Sequence, residues 1–406
     1  MRRASAIAAL VFFLAAIIAG SAALGYVADT TVPLGGGCPQ ADRWNLSLAS
    51  PLNRRWSTSL SPAHTTVITV NASGSAAQLN EVEAVVSASF AAWAGVAGTT
   101  FNTAVNPGLI APLGRTSDPN SCSNDTESNA DGLNTICFNQ TSAGFSSGVL
   151  AFTRTITANA PGVSVGASGP AAFSGQILDA DTLFRNDGQG TFATPSALAT
   201  PQGAGAYDLE SLLTHELGHW FGLSHSAVWR AIRFPFAPPP GSFLGARPTA
   251  QVPDGPLADD DRTGVRVSYA DPSDAVHTGT IKGHVVPANP FALATIPSPS
   301  TGRSVTGIFG AHVVAVDADS GAVIAGTLGG WSCDAANPPA TFDGSYELDR
   351  LAAGHNYKIY VEPLEGVVGP GDFALPLAEL CGAGATTECG TPAVYTNFSV
   401  RTRPGP

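Results

Sequence analysis

The chain has 406 residues, of which 44% are hydrophobic and only 12% are charged, and its formal net charge is −12. This length suggests more than one domain, and the apolar content is too high for an intrinsically disordered chain. No basic run occurs, so nucleic acid is excluded as an expected partner.

The first residues of the chain have the pattern of a secretory signal. Arg2 and Arg3 precede a mostly apolar run at 4–20, and small residues follow it. We therefore predict a signal peptide over 1–23, an N-terminal segment over 24–39 and a secreted protein. A retained membrane anchor is the alternative, because the run is nearly long enough to span a bilayer. After cleavage we expect no stable membrane insertion.

The cysteine count favours disulfides. Six cysteines follow the signal, and an even number after an export signal is typical of disulfide-bonded proteins. Proximity favours pairing of Cys122 with Cys137, and a second set within Cys333, Cys381 and Cys389. Cys38 is the least certain member.

Hydrophobic periodicity predicts the elements that follow. Apolar residues spaced by three and four at 79–96 indicate an amphipathic helix. The polar stretch 115–145 is typical of a surface loop. Strands are predicted at 64–70, 149–157 and 175–184.

A second helix is predicted at 207–221. Asp208 is its candidate cap, and Gly222 ends it where a positive φ is often required. His215 and His219 lie four residues apart, so both imidazoles project from the same side and can reach one ion. A short capped helix is expected at 257–269.

The segment His215-Glu216-Leu217-Gly218-His219-Trp220-Phe221-Gly222-Leu223-Ser224-His225 predicts a catalytic zinc site. Gly222 lets the chain reverse, so that His225 supplies a third nitrogen. Three protein ligands leave the fourth position open, as in catalytic rather than structural zinc sites. Glu216, next to the first ligand, is the candidate general base for an attacking water.

This extended pattern resembles that of the metzincin zinc peptidases, and within them a matrixin-like bacterial branch. The resemblance covers about 40–270 and implies an α+β domain, at 40–273. Its parts would be a twisted mixed sheet, an active-site helix and a closing helix. It also implies that the strand carrying Asp179 and Asp181 is the sheet edge that binds substrate. Asp260 and Asp261 would brace the floor of the site.

One position departs from the family pattern. The family has a methionine in the turn beneath the zinc, and Arg233 stands in its place. A buried cation beside a divalent ion is costly unless it is paired, and Asp260 or Asp261 are the candidate partners. This substitution puts activity in doubt more than zinc binding.

Three further features of the sequence concern metal binding. No histidine lies between His64 and His215, so ligands for a second, structural zinc are missing. A disulfide at Cys38 is favoured over a thiol that blocks the zinc. A calcium site at 186–190, or at Asp179 and Asp181, is possible, but a plain turn is favoured.

The chain changes character near Asp271. Short β-like runs alternate with Gly and Pro, and 274–406 resembles a carboxypeptidase regulatory-like (transthyretin-like) β-sandwich. We expect this part to be an accessory domain, so a chain ending near Asp274 should keep the site. The four histidines of this part have no metal-ligand spacing.

The sequence thus predicts a zinc-dependent endopeptidase that acts on proteins or peptides. One alternative is a catalytically impaired metzincin-like binding protein. Another is a surface-adhesion protein whose β-sandwich carries the function.

Overall fold

The structure is a computed structural model. It describes residues 27–46, 52, 54–58, 60, 67–71, 75–101, 114–117, 131–140, 145–241, 256–289, 307–333, 343–364 and 372–373. The expected signal peptide lies outside these ranges, as do Cys122, Cys381 and Cys389. Within them, no helix has the length and apolar content needed to cross a membrane.

The elements of the described residues follow in chain order. The front part contains β1 (Thr30–Thr31), β2 (Gln40–Ala41), β3 (Arg43–Trp44), β4 (Arg54–Ser57), β5 (Val67–Ile68), α1 (Ala76–Ala94), β6 (Gly114–Thr116), β7 (Asn134–Gln140), β8 (Ala151–Ala158), β9 (Gln176–Arg185), β10 (Phe192–Ala193), α2 (Pro195–Leu198), β11 (Tyr207–Asp208), α3 (Leu209–Trp220) and α4 (Asp259–Ser268). A 3-10 helix, Pro272–His277, leads to β12 (Thr278–His284), β13 (His312–Asp317), β14 (Val323–Leu328), β15 (Ser345–Ala352) and β16 (Tyr357–Glu362).

The main sheet is mixed and has the order β3-β9-β7-β4-β6, with β8 antiparallel to β9. All ten residues of β9 are buried, as in strands that are covered on both faces. β9 also pairs with β7 and β3, so the expectation that the strand of Asp179 and Asp181 forms the sheet edge is wrong. Among the described strands, β8 pairs with β9 alone, and it is β8 that runs beside α3.

A second correction concerns β7. We expected a surface loop over 115–145, but 134–140 form an internal strand between β9 and β4. Ile136, Cys137 and Phe138 are all buried. Polar residues flank this short apolar run on both sides, so the composition of the whole segment does not predict that the run is buried.

The core of the front part lies where α1 packs against α3. Ser75 caps α1 by accepting the N–H of Gln78, as expected of a helix that begins near this point. Trp93 is fully buried and its Nε1 donates to the carbonyl of Thr214 at 2.9 Å. The ring of Phe90 packs edge-on against Trp220 at 5.4 Å. These contacts hold α3 rigidly from one side.

The back part consists of two small antiparallel sheets, β12-β15 and β14-β13-β16. Side chains from both sheets share one hydrophobic core, which includes Val313, Ala325 and Leu348. We did not predict β14. The assignment of this part to a particular β-sandwich family stays a prediction.

The front and back parts are joined by specific contacts. Cys38 is disulfide-bonded to Cys333, which corrects the expected pairing of Cys333 with its C-terminal neighbours. Asp260 of α4 accepts the backbone N–H of Gly326 at 2.6 Å. Cys137 is disulfide-bonded as well, and its expected partner Cys122 lies outside the described residues. The Cys38–Cys333 bond and the hydrogen bond between Asp260 and Gly326 indicate that the front part loses stabilising contacts when the back part is removed.

We therefore expect a chain that ends at Asp274 to melt at a lower temperature than the full chain. The truncation removes the partner of Cys38 and leaves the buried Asp260 carboxylate without the Gly326 N–H. A loss of about 2 kcal/mol lowers the melting temperature of a domain of this size by about 4–8 °C. Scanning calorimetry measures the shift. The control is Cys38→Ser with Cys333→Ser, which removes the covalent link and keeps the other contacts, so its shift should be smaller. An unchanged melting temperature on truncation would contradict this view.

Candidate metal centre

The turn after α3 brings the third histidine back towards the helix. Gly222 has φ +83°, and its N–H donates to the carbonyl of His219 at 2.8 Å. The N–H of Leu223 donates to the carbonyl of Gly218 at 2.9 Å. This pair of hydrogen bonds is the Schellman ending of a helix. A Cβ at Gly222 would also lie 2.0 Å from the carbonyl oxygen of Asp42, so glycine is required there.

Three imidazoles converge at this point. One ligand atom from each of His215, His219 and His225 lies within 4.8 Å of the others. The ring centroids are 5.4, 5.2 and 4.9 Å apart. Nδ1 of His215 lies 2.7 Å from the carbonyl oxygen of Ile232, and Nδ1 of His225 contacts the carbonyl of Asp372. Those two rings thus present Nε2 to the centre, which fits a divalent metal with imidazole ligands.

The electrostatics of the site favour neutral imidazoles. Burial is the main cause that holds the pKa of His215 and of His219 well below the usual value, and Arg233 adds to it. The same causes lower the pKa of His225 to about 4. A neutral ring keeps the lone pair that a metal needs.

Glu216 lies beside the histidines with its carboxylate held in place. The side chain is 4% exposed, and the hydroxyl of Thr153 on β8 donates to its Oε2 at 3.1 Å. Burial raises the pKa of Glu216 to about 7, although Arg233 and Thr153 oppose the shift. A carboxylate with such a pKa can accept and return a proton near neutral pH. The sequence did not predict the contact of Thr153 with Glu216, because an alternating strand pattern does not distinguish one threonine from another.

Arg233 lies beneath the histidines, with 1% of its surface exposed. Its Nε donates to the carbonyl of Ser224 at 3.1 Å, and Nη1 donates to the carbonyl of His215. Nη2 lies 2.9 Å from the carbonyl oxygen of Leu223, and 2.6 and 2.8 Å from Nδ1 and Nε2 of His219. Burial lowers the pKa of Arg233 to about 10, so the guanidinium stays charged.

Asp260 and Asp261 support the floor through other donors. Asp261 accepts the backbone N–H groups of Ile232 at 2.8 Å and of Arg233 at 3.2 Å. Asp260 accepts the hydroxyl of Ser226 at 2.6 Å. Of the two expected partners of the guanidinium, Asp261 has a favourable charge interaction with it and also holds the backbone of Arg233. The carboxylate with the largest favourable charge interaction on Arg233 is Asp29, from the N-terminal segment.

A cleft of about 560 Å³ opens above the histidines. One wall is the end of β8 with Phe152 and Thr153, and the opposite wall carries Phe234 and Phe236. Asp372 of the back part lies at its rim. No signal in the sequence places Asp372 here, since the contact depends on how the two parts pack.

The carboxylates of the candidate calcium sites have other partners. Asp179 and Asp181 accept the backbone N–H groups of Gly132 and Thr135, at 2.9 and 2.6 Å. Asp187 pairs with Arg185 at 2.5 Å. Within the described part of the chain, the three histidines are the one cluster whose ligand atoms could share an ion.

Comparisons with known proteins agree with this geometry. Residues 159–270 match the model of the matrixin family of peptidases. The matched segment contains all three histidines, Glu216 and α4, and it supports a metzincin-like metallopeptidase. The chain is also similar to Metalloendoproteinase 1 of Glycine max, with 44% identity over 64 residues, which are 16% of this chain and 17% of that protein. The chain thus matches only about a sixth of the length of this relative.

The floor of the site requires that Gly218 have no side chain. An added Cβ would lie 2.1 Å from Cδ of Arg233 and 3.1 Å from Cζ2 of Trp93. Alanine gains about 1 kcal/mol over glycine inside a helix, but overpacking a core costs about 1–3 kcal/mol. The clash involves two buried side chains, so we expect Gly218→Ala to destabilise the protein.

Urea unfolding measures this effect. Gly169→Ala is the control, because nothing lies within 4 Å of an added Cβ there and no positive φ is required. A Gly218→Ala protein as stable as the Gly169→Ala protein would show that Arg233 does not need this space.

Proposed function

We propose that this protein is a secreted zinc-dependent endopeptidase with one catalytic zinc. The observation that carries the proposal is the convergence of three imidazoles beside a buried carboxylate at the base of a cleft. His215, His219 and His225 would hold the zinc, and Glu216 would be the general base. Secretion rests on the signal-like N-terminus and fits a disulfide that joins distant parts of the chain.

Each side chain of the site would have a separate role in peptide hydrolysis. A bound zinc would lower the pKa of an attacking water and polarise the peptide carbonyl. Glu216 takes a proton from that water and passes it to the leaving amine. The hydroxyl of Thr153 fixes the direction of the Glu216 carboxylate. The carbonyls of Ile232 and Asp372 fix the rings of His215 and His225.

The cleft favours an extended peptide as substrate. β8 runs along one side, and a peptide can add to a strand by backbone hydrogen bonds. Apolar side chains of Phe152, Leu212 and Phe234 line the cavity and would accept apolar side chains of the peptide.

One contact favours a second candidate function, a metal-binding protein with impaired turnover. Nη2 of Arg233 lies 2.8 Å from Nε2 of His219, on the atom that a metal would use. A cation there competes with zinc and repels it. The two candidates differ in whether the unchanged protein cleaves casein.

We expect His219→Ala to lose the zinc, because two ligands cannot replace three. Zinc content by elemental analysis of purified protein measures the loss. The matched control is His284→Ala, since His284 is 59% exposed in the back part, away from the cluster. Full zinc occupancy in His219→Ala would refute the ligand assignment.

Glu216→Gln should keep the zinc and the fold but lose about 10²–10⁴-fold in casein cleavage. The amide still accepts the Thr153 hydroxyl, but it cannot take a proton. The assay is run with the unchanged protein, with and without a chelator. An unchanged cleavage rate in Glu216→Gln would remove this residue from the mechanism, and zinc-loaded unchanged protein without cleavage would support the second candidate.

A further inference from the structure

The N-terminal segment reaches the metal centre as a short added strand. Ala28 forms an antiparallel bridge with Leu223, and the N–H of Asp29 donates to the carbonyl of Gly222 at 3.0 Å. The N–H of Ser224 donates in turn to the carbonyl of Val27 at 3.0 Å. The segment therefore pairs with the turn between the second and third histidines, and it brings the side chain of Asp29 under them.

The carboxylate of Asp29 faces charged and polar groups of that floor. Its Oδ2 lies 3.6 Å from Nδ1 of His219, and it accepts a hydrogen bond from the side chain of Ser224. Burial raises the pKa of Asp29, and the charges of Arg233 and His225 and the Ser224 hydrogen bond oppose that shift. Among the carboxylates that raise the pKa of Arg233, Asp29 has the largest effect, ahead of Glu216 and Asp261.

The site has an electrostatic problem that this carboxylate addresses. The guanidinium of Arg233 is buried, and the acceptors of its N–H groups are carbonyls and a ring nitrogen, which carry no full negative charge. A buried unpaired cation is costly, and it also repels a second cation. A negative charge close to the guanidinium and to the metal position lowers the cost of burying the guanidinium and weakens its repulsion of the metal.

The ring of His219 also needs an acceptor. His215 and His225 direct Nδ1 at the carbonyls of Ile232 and Asp372. His219 shares the carbonyl of Leu223 with Arg233. Among the described residues, Asp29 is the carboxylate within 4 Å of this ring. Acceptors of this kind orient a ligating imidazole and strengthen its hold on the metal.

We propose that Asp29 is a positioning residue of the metal centre, whose carboxylate offsets the charge of Arg233 and orients His219 for the metal. The inference rests on the proposed zinc site. It makes the N-terminal segment, where no sequence motif marks a site residue, a necessary part of that site.

The test is a double-mutant cycle in the full chain, with zinc affinity measured by competition with a chromogenic chelator. Asp29→Asn should weaken zinc binding about 10–100-fold, the usual effect of removing a partner of a metal ligand. Arg233→Met removes the cation, so the same Asp29→Asn change in that background should cost clearly less. An unchanged or higher affinity in Asp29→Asn overturns the proposal, and an equal loss in both backgrounds overturns the charge-offset role.

Asp317→Asn is the matched control. Asp317 is a buried carboxylate of the back part, and its Oδ1 accepts the backbone N–H of Ser320 at 2.7 Å, a bond that an amide preserves. We expect its zinc affinity to change less than about twofold, because its partners are not part of the centre. A loss as large as that of Asp29→Asn would overturn a specific role for Asp29.

Two further readouts keep the outcomes distinct. Asp29→Glu keeps the charge and should retain more zinc affinity than Asp29→Asn, and an equal loss in both variants overturns the proposal. Zinc-free Asp29→Asn should unfold at a lower urea concentration than the zinc-free unchanged protein, because the buried guanidinium loses its offsetting charge, and this difference should shrink in the Arg233→Met background. Casein cleavage is measured separately, so zinc-loaded but inactive unchanged protein refutes the endopeptidase proposal alone.

Discussion

The centre of this molecule depends on how a buried guanidinium is accommodated. Arg233 has its N–H groups against three carbonyls and the His219 ring, and these acceptors belong to α3 and the turn that follows it. The side chain fits because Gly218 has no Cβ to meet it. α3 therefore presents two imidazoles on one face and, at Gly218, leaves space for the side chain of Arg233 on another.

A methionine in this place would need only apolar contacts, whereas an arginine recruits the surrounding electrostatics. Asp261 accepts the backbone N–H of Arg233, and Asp29 has the largest favourable charge interaction with its guanidinium. Nη2 of Arg233 lies close enough to attract the His219 ring, but its positive charge repels a metal ion at that ring. An arginine floor thus draws on carboxylates that a methionine floor would not require.

Local patterns predicted the local parts of this arrangement. The spacing of apolar residues placed α1 and α3 within a few positions, and the positive φ of Gly222 followed from its place after the helix. The contacts that cross the chain could not be read this way. β7 was hidden by its polar flanks, and the Cys38–Cys333 bond joins residues 295 positions apart. Neither Asp29 nor Asp372 carries any mark in the sequence, because their roles arise from packing between segments.

The bond between Cys38 and Cys333 has a consequence for the order in which the centre is assembled. In a chain that crosses a membrane N-terminus first, Cys38 emerges long before its partner. The segment that carries Asp29 is then tied at one end only, and the carbonyl that orients His225 has still to emerge with Asp372. If the protein is exported as proposed, the histidine helix can form early, but the metal centre would be complete only after Asp372 has crossed, so an unfinished chain would not carry a finished site.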